Sequence, residues 1–164
     1  MFAEYPLGGL RQNLSVRPLQ MMLSSLLSGL AFSPPTKGPC DIYAAGGTPR
    51  VAAHSMVRAL YIGYSGPLYL VQRASDLATT AVSTKSPGGY ADSATQDLFC
   101  SGTGCTVTRI FDQSVRGNHL GRAPWGGASR HAEKGVNATR HKLMVGGHAV
   151  YGAYFEGGMG YRCD

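Results

Sequence analysis

Residues 67–84 read PLYLVQRASDLATTAVST, and the period of this stretch decides the fold class. PLYLVQR at 67–73 alternates in the manner of a strand, and ATTAVST at 78–84 is rich in β-branched residues. The two runs predict a β-hairpin. Downstream, TVTRIF at 106–111 is a further strand, and KLMVGGHAVYGAYF at 142–155 divides into two strands about Gly146 and Gly147. Between these, SPGGYADSATQDLFC at 86–100 breaks the alternation at Gly88 and Gly89, then carries a short helix capped by Asp92. Upstream, TPRVAAHSMVRALYIGYSG at 48–66 predicts a second helix. Thr48 is its N-cap and Pro49 its first residue, where no amide donor is needed. Ala53, Val57, Leu60, Tyr61 and Tyr64 recur at helical spacing as its apolar face, and Gly63 and Gly66 end it. His54, beside that face, is read as a packed or hydrogen-bonded structural residue. Short strands, Gly-rich turns and one or two short helices make the chain mainly β, a β-sandwich of the concanavalin or jelly-roll kind.

Composition narrows the class. The 164 residues include 23 Gly and nine Pro, and charged residues are only 15%, below the usual quarter or so. That dilution favours a stable extracellular or β-rich protein over a highly charged intracellular one. The net charge of +6 does not point to nucleic acid, because the basic residues are spread from Arg11 to Arg162. The densest run, RHAEKGVNATRHK at 130–142, lacks the interleaved aromatics of a stacking platform and reads as a solvated loop. Cysteines stand at 40, 100, 105 and 163 without a CxxC pair, and the five His are not at ligand spacing from them. No metal site and no cofactor are expected. Cys100 and Cys105 bracket SGTG, four small residues able to turn tightly enough to close a disulfide, which fits an oxidising compartment.

The N-terminal region fits that compartment. LQMMLSSLLSGLAF at 19–32 is an apolar run preceded by Arg11 and Arg17, and Gly29-Leu30-Ala31 offers a small-x-small cleavage site. The run is too short to span a bilayer, so no membrane span is expected. A buried amphipathic helix is the alternative reading. The breaker cluster SPPTKGP at 33–39 sets a boundary: residues 1–33 as a signal-like leader, 34–164 as the domain, and the product as secreted and extracellular.

IFDQSVRGNHL at 110–120 raises the question of chemistry. Asp112, at the end of a strand, is placed to accept amide hydrogen bonds from the turn that follows. Asn118 does the same on the return, Gly117 supplies a positive φ, and Leu120 re-enters the core. A nucleophilic triad needs a Ser or Cys activated by His, yet Ser114 sits among turn formers without a strand-to-helix elbow. Asp112, Asn118 and His119 are therefore read as parts of a structural loop.

GPCDIYAAGGTP, VAAHSMVRALY, ADSATQDLFC, DQSVRGNHL, APWGG and VYGAYFEGGMGYR stand in an order and spacing that resemble one family. It is glycoside hydrolase family 54, the catalytic domain of the fungal α-L-arabinofuranosidase B enzymes, and the resemblance covers residues 38–162. It implies a secreted β-sandwich enzyme that removes terminal α-L-arabinofuranosyl groups from plant cell-wall polysaccharide, arabinoxylan and arabinan, with retention. Retention needs two carboxyl groups about 5–5.5 Å apart. In the family these are a Glu and an Asp in the later half of the catalytic domain, past the residues matched here. The resemblance thus implies an incomplete sandwich with no catalytic residue identifiable in this chain, and without the family's arabinose-binding β-trefoil. Asp41, Asp76, Asp92, Asp97, Asp112, Glu133 and Glu156 fall at none of the catalytic positions, and Glu156 reads as an exposed turn residue. Cys100 and Cys105 match a family disulfide. Cys40 matches the first member of another, whose partner position holds Arg50; Cys163 has no counterpart. Cys40 is then either a thiol or paired with Cys163. Two other readings stand beside the hydrolase. One is an inactive truncated product. The other is a non-catalytic sugar-binding sandwich with Tyr61, Tyr64, Tyr69, Tyr90, Trp125 and Tyr161 as stacking surfaces.

Overall fold

A computed structural model describes residues 36–126 and 130–163. The leader-like segment 1–33, with its cleavage site, lies outside the described residues. In chain order the elements are α1 (Pro39–Ala45), β1 (Pro67–Arg73), β2 (Thr79–Ser83), α2 (Ser93–Phe99), β3 (Cys105–Ile110), β4 (Leu120–Arg122), β5 (Lys142–Val145), β6 (His148–Tyr151) and β7 (Tyr161–Arg162). β1 and β2 pair antiparallel as the hairpin expected from 67–84. They open a five-stranded sheet of order β2-β1-β3-β4-β7, in which every neighbouring pair is antiparallel. β5 and β6 form a separate two-stranded sheet whose turn is Gly146 and Gly147, at φ of 56° and 79°. Only glycine adopts such values without cost.

The sheet's inner face follows from where side chains alternate and where they do not. Cys105 and Val107 are buried in β3, and strict alternation would turn Ile110 outward. A bulge corrects this: Val71 pairs with Val107 and Leu70 with Arg109, so Thr108 is an extra residue and Ile110 also faces the core. Leu68, Tyr69, Val71, Val82, Val107 and Val150 lie fully buried in one apolar cluster spanning both sheets. Helix α2 ties them with polar contacts. Gln96 accepts the Tyr69 hydroxyl proton (2.6 Å) and donates to the Ala138 carbonyl (2.7 Å), while the Ser93 hydroxyl donates to the Ala149 carbonyl (2.7 Å). The mainly β class, the antiparallel sheets and the helix after Asp92 agree with the reading of the sequence. At that helix the Asp92 carboxylate accepts the Thr95 hydroxyl (2.7 Å) rather than a backbone amide.

The helix expected over 48–66 is not there. Those residues run as bends and isolated bridges, because their backbone groups find partners across the fold. The Ala53 amide donates to Asp112 Oδ1 (2.7 Å), Ala59 to the Gly89 carbonyl (2.8 Å), Leu60 to Gln113 Oε1 (2.6 Å) and Ile62 to Asp41 Oδ2 (2.7 Å). Ser55 adds a local competitor, its hydroxyl accepting the amides of Val57 (3.1 Å) and Arg58 (3.2 Å). Helix propensity is a weak preference, and tertiary partners outweigh it. The helix in this part of the chain is α1 instead, with Pro39 in its first turn. Asp41 reaches back to accept the Gly38 amide (2.7 Å). Gly38 approaches so closely that a Cβ would stand 2.4 Å from the Leu60 carbonyl oxygen.

Candidate functional site

β3 delivers Asp112 to the start of its loop with only 4% of its surface exposed. Oδ1 accepts the amides of Ala53 (2.7 Å) and Ser114 (2.9 Å). Oδ2 accepts the Ser114 hydroxyl (2.6 Å) and the Asn118 amide (2.9 Å). Burial pushes the carboxyl pKa up, but the Ser114 hydroxyl and the amides of Ser114, Ala53 and Asn118 outweigh it. The group is held below the ordinary carboxylate range. An ionised carboxylate has about four lone-pair sites, and these donors occupy them. None is left to take a proton from a substrate.

The rest of the loop is similarly engaged. The Asn118 side chain donates to the Val51 carbonyl (2.8 Å) instead of collecting amides, and the Asn118 backbone carbonyl accepts from His54 Nε2 (2.7 Å). His119 Nδ1 accepts the Asp112 amide (2.9 Å), and its ring meets Phe111 edge-on at 5.1 Å. Ser114 gives its proton to Asp112, so Ser114 and His119 do not form a nucleophile–base pair. Gly117 has φ of 71°. Gln113 was given no role by sequence reasoning, yet it is only 6% exposed. It accepts the Leu60 amide (2.6 Å) and donates to the Arg58 carbonyl (3.2 Å). The available signal was an amide residue directly after a strand-end acid.

Beside this loop a cavity of about 500 Å³ opens. Arg50, Val51, Tyr61 and Tyr64 line one part of it and Gln113 through Arg116 another. No Asp or Glu is among its lining residues. Other carboxylates are held by neighbours. Asp41 serves the Gly38 and Ile62 amides, Asp76 pairs with Arg73 (2.6 Å), and Glu156 pairs with Arg140 (2.5 Å). Asp97 meets Lys142 (2.7 Å) and the Tyr151 hydroxyl; burial raises its pKa, and these two bonds more than offset that. Among the described residues, no three His, Cys, Asp or Glu side chains are grouped to hold a metal, and no helix is long and apolar enough to cross a membrane.

Cys100 and Cys105 form a disulfide. Cys40 is buried and Cys163 exposed, and the two are not joined. Burial pushes the Cys40 thiol up, against the opposing effects of a hydrogen bond with Tyr61 and the charge of Arg50. The six aromatics suggested as a sugar platform are not one surface. Tyr69 is fully buried, Tyr161 donates to the Val107 carbonyl (2.6 Å), Tyr90 stacks on His148 at 4.2 Å, and Trp125 is 68% exposed. Of the six, Tyr61 and Tyr64 line the cavity.

Residues 39–164 match the family described as alpha-L-arabinofuranosidase B, catalytic. The chain belongs to this family. It is 53% identical over 129 residues to a probable alpha-L-arabinofuranosidase B of Aspergillus fumigatus, covering 76% of this chain and 26% of that protein. An alpha-L-arabinofuranosidase of Hypocrea jecorina is 52% identical over 129 residues, with the same coverage of 76% and 26%. Among solved structures, an arabinofuranosidase complexed with arabinofuranosyl-alpha-1,2-xylobiose superposes with a TM-score of 0.74 at 47% identity, over 77% of this chain and 27% of that one. A GH54 α-L-arabinofuranosidase soaked with a cyclic sulfate inhibitor gives 0.72 at 46%, over 76% and 27%. The chain spans about a quarter of the length of the relatives it matches.

Proposed function

We propose that this chain is part of an α-L-arabinofuranosidase, a secreted glycoside hydrolase releasing terminal arabinofuranosyl groups from arabinoxylan and arabinan with retention. In this reading the 164 residues supply scaffold, and the reacting carboxylates belong to the later part of the family's catalytic domain. The observation that carries the reading is the family match over residues 39–164, at about half identity to proteins named for this activity. The site's geometry supports the division of labour. Retaining hydrolysis needs a nucleophile and a proton donor facing one another across one sugar, whereas Asp112 has its acceptor sites filled and the cavity beside it is lined by no acid. Asp112, Asn118 and His119 then hold the loop rather than react. The Cys100–Cys105 disulfide supports an oxidising, extracellular setting.

Two proteins test this on a chromogenic α-L-arabinofuranoside. The 164-residue chain alone should show no turnover above background. A chimera joining residues 38–162 to the remainder of the Aspergillus fumigatus relative should hydrolyse it. A chimera that melts cooperatively yet is inert would sink the hydrolase reading. Turnover by the chain alone that vanishes in Glu156→Gln would sink the scaffold reading.

A further inference from the structure

The hydrolytic reading leaves the cavity beside the Asp112 loop without a task. Its volume of about 500 Å³ lies in the range of small-ligand sites, about 300–1,000 Å³. Two of its lining residues are cations, Arg50 and Arg116, and none is acidic. Three other surface cations, Arg73, Arg140 and Lys142, each pair with a carboxylate. Arg50 and Arg116 form no ion pair among the described residues. The guanidinium carbon of Arg50 lies 3.6 Å from the centroid of the Tyr43 ring. Stacking of this kind uses the flat face of the group and keeps its N–H edges for a planar acceptor. The remaining polar wall is already committed inward, Gln113 to Leu60 and Arg58, Ser114 to Asp112. The negative charge of Asp112 is buried and satisfied by its own loop and the Ala53 amide. What the cavity offers a ligand is therefore positive charge beside Tyr61 and Tyr64 and the aliphatic walls of Ala44, Pro49, Val51 and Val115.

We propose that this cavity binds a carboxylate-bearing sugar, a uronate, with Arg50 and Arg116 holding the carboxylate and Tyr61 and Tyr64 flanking the ring. Guanidinium and carboxylate match as a two-point, charge-assisted pair, and an aromatic face suits the apolar C–H side of a pyranose. That the ligand is a small anion rests on the cavity; that a sugar carries the anion rests on the polysaccharide reading above. As both arginines are exposed, added salt should weaken the interaction.

The test is calorimetric titration of the 164-residue chain with sodium glucuronate, glucose and sodium acetate. Glucuronate should bind saturably, with the other two much weaker. Arg50→Gln and Arg116→Gln should each lose roughly tenfold in affinity, the scale of one charge-assisted contact, with unchanged melting. Lys85→Gln, at an exposed cation outside the lining, should bind as the parent does. Absence of saturable glucuronate binding overturns the proposal, as does undiminished binding by both arginine variants. Acetate binding as tightly as glucuronate removes the sugar, and glucose doing so removes the charge; either overturns the proposal as stated. An inert chimera with intact glucuronate binding would sink the hydrolase reading and leave the site standing. An active chimera with no binding would sink the site alone.

Discussion

Residues 112–119 and residues 49–62 touch one another, and neither forms regular helix or sheet, yet they are ordered by opposite means. The first segment closes its own turn, and Asp112 and Asn118 also tie it to Ala53 and Val51. Ser114 and Asn118 turn back to Asp112, the Asp112 amide reaches forward to His119, and the His119 amide closes on the Gly117 carbonyl at 2.7 Å. The second segment is organised mainly from outside, by Asp41, Gly89, Asp112 and Gln113. Local side-chain chemistry marks the turn of the first. The other shows that an apolar period of 3.6 does not make a helix when the backbone has better partners elsewhere.

The comparison breaks most visibly at Asp112, which serves both segments. Asp112→Asn should cost about 3 kcal/mol, because hydrogen bonds to a charged group contribute about 1.5–3 kcal/mol and four donors share this one. Chemical denaturation of parent and variant measures it; unchanged stability would mean the loop is held by something else. The same residue sets an acid limb. Folding lowers the Asp112 pKa, so its contribution is present above the unfolded value of about 3.9 and is lost as pH falls below it. The variant should show a shallower loss there, with the share from Asp97 remaining.

Reducing the Cys100–Cys105 bond asks whether a second self-closed turn behaves like the first. Its short loop predicts a loss of about 2 kcal/mol from unfolded-chain entropy, read as a lower melting temperature in reductant. Peptide mapping of oxidised material in which both thiols alkylate would show that the bond is not formed. Gln113→Ala sharpens the contrast directly, since Gln113 holds the Arg58–Leu60 backbone but not its own loop. It should cost about 1–2 kcal/mol and speed amide exchange at Leu60 while protection at Ser114 and Asn118 stays. Equal loss in both segments would mean that they fold as one unit. Glu156→Gln should have the smallest effect, under about 1 kcal/mol. Its bridge to Arg140 joins two side chains each nearly half exposed. A larger loss in a thermal melt would assign Glu156 a task that its exposure does not suggest.

Several strands were legible because their cause lies within them. Alternation in 67–73, β-branching in 78–84 and the glycine pair at 146–147 restrict the backbone locally, and β1, β2, β5 and β6 lie there. The two proline-led segments were harder to tell apart. Gly38-Pro39 begins α1 and Thr48-Pro49 begins no helix, although Thr and Gly are about equally good caps. What separates them is Asp41, which caps its own helix and also takes the Ile62 amide. Around the candidate site, turn chemistry marked Asp112, Gly117 and Asn118. Gln113 went unremarked because its partners, Arg58 and Leu60, are more than fifty positions away.

By itself the sequence determined the strand periods, the helix after Asp92, the turn glycines and the cysteine pair, all consequences of steric and hydrogen-bonding preferences within a few residues. Only the tertiary structure decided that 48–66 would not be helical, that Cys40 and Cys163 would stay apart, and that Arg50 and Arg116 would line one cavity. Each of these depends on which backbone amide or side chain arrives from a distant segment, as Asp112 does for Ala53 across 59 positions. A buried amide must be paired wherever its partner comes from, and no local pattern carries that information.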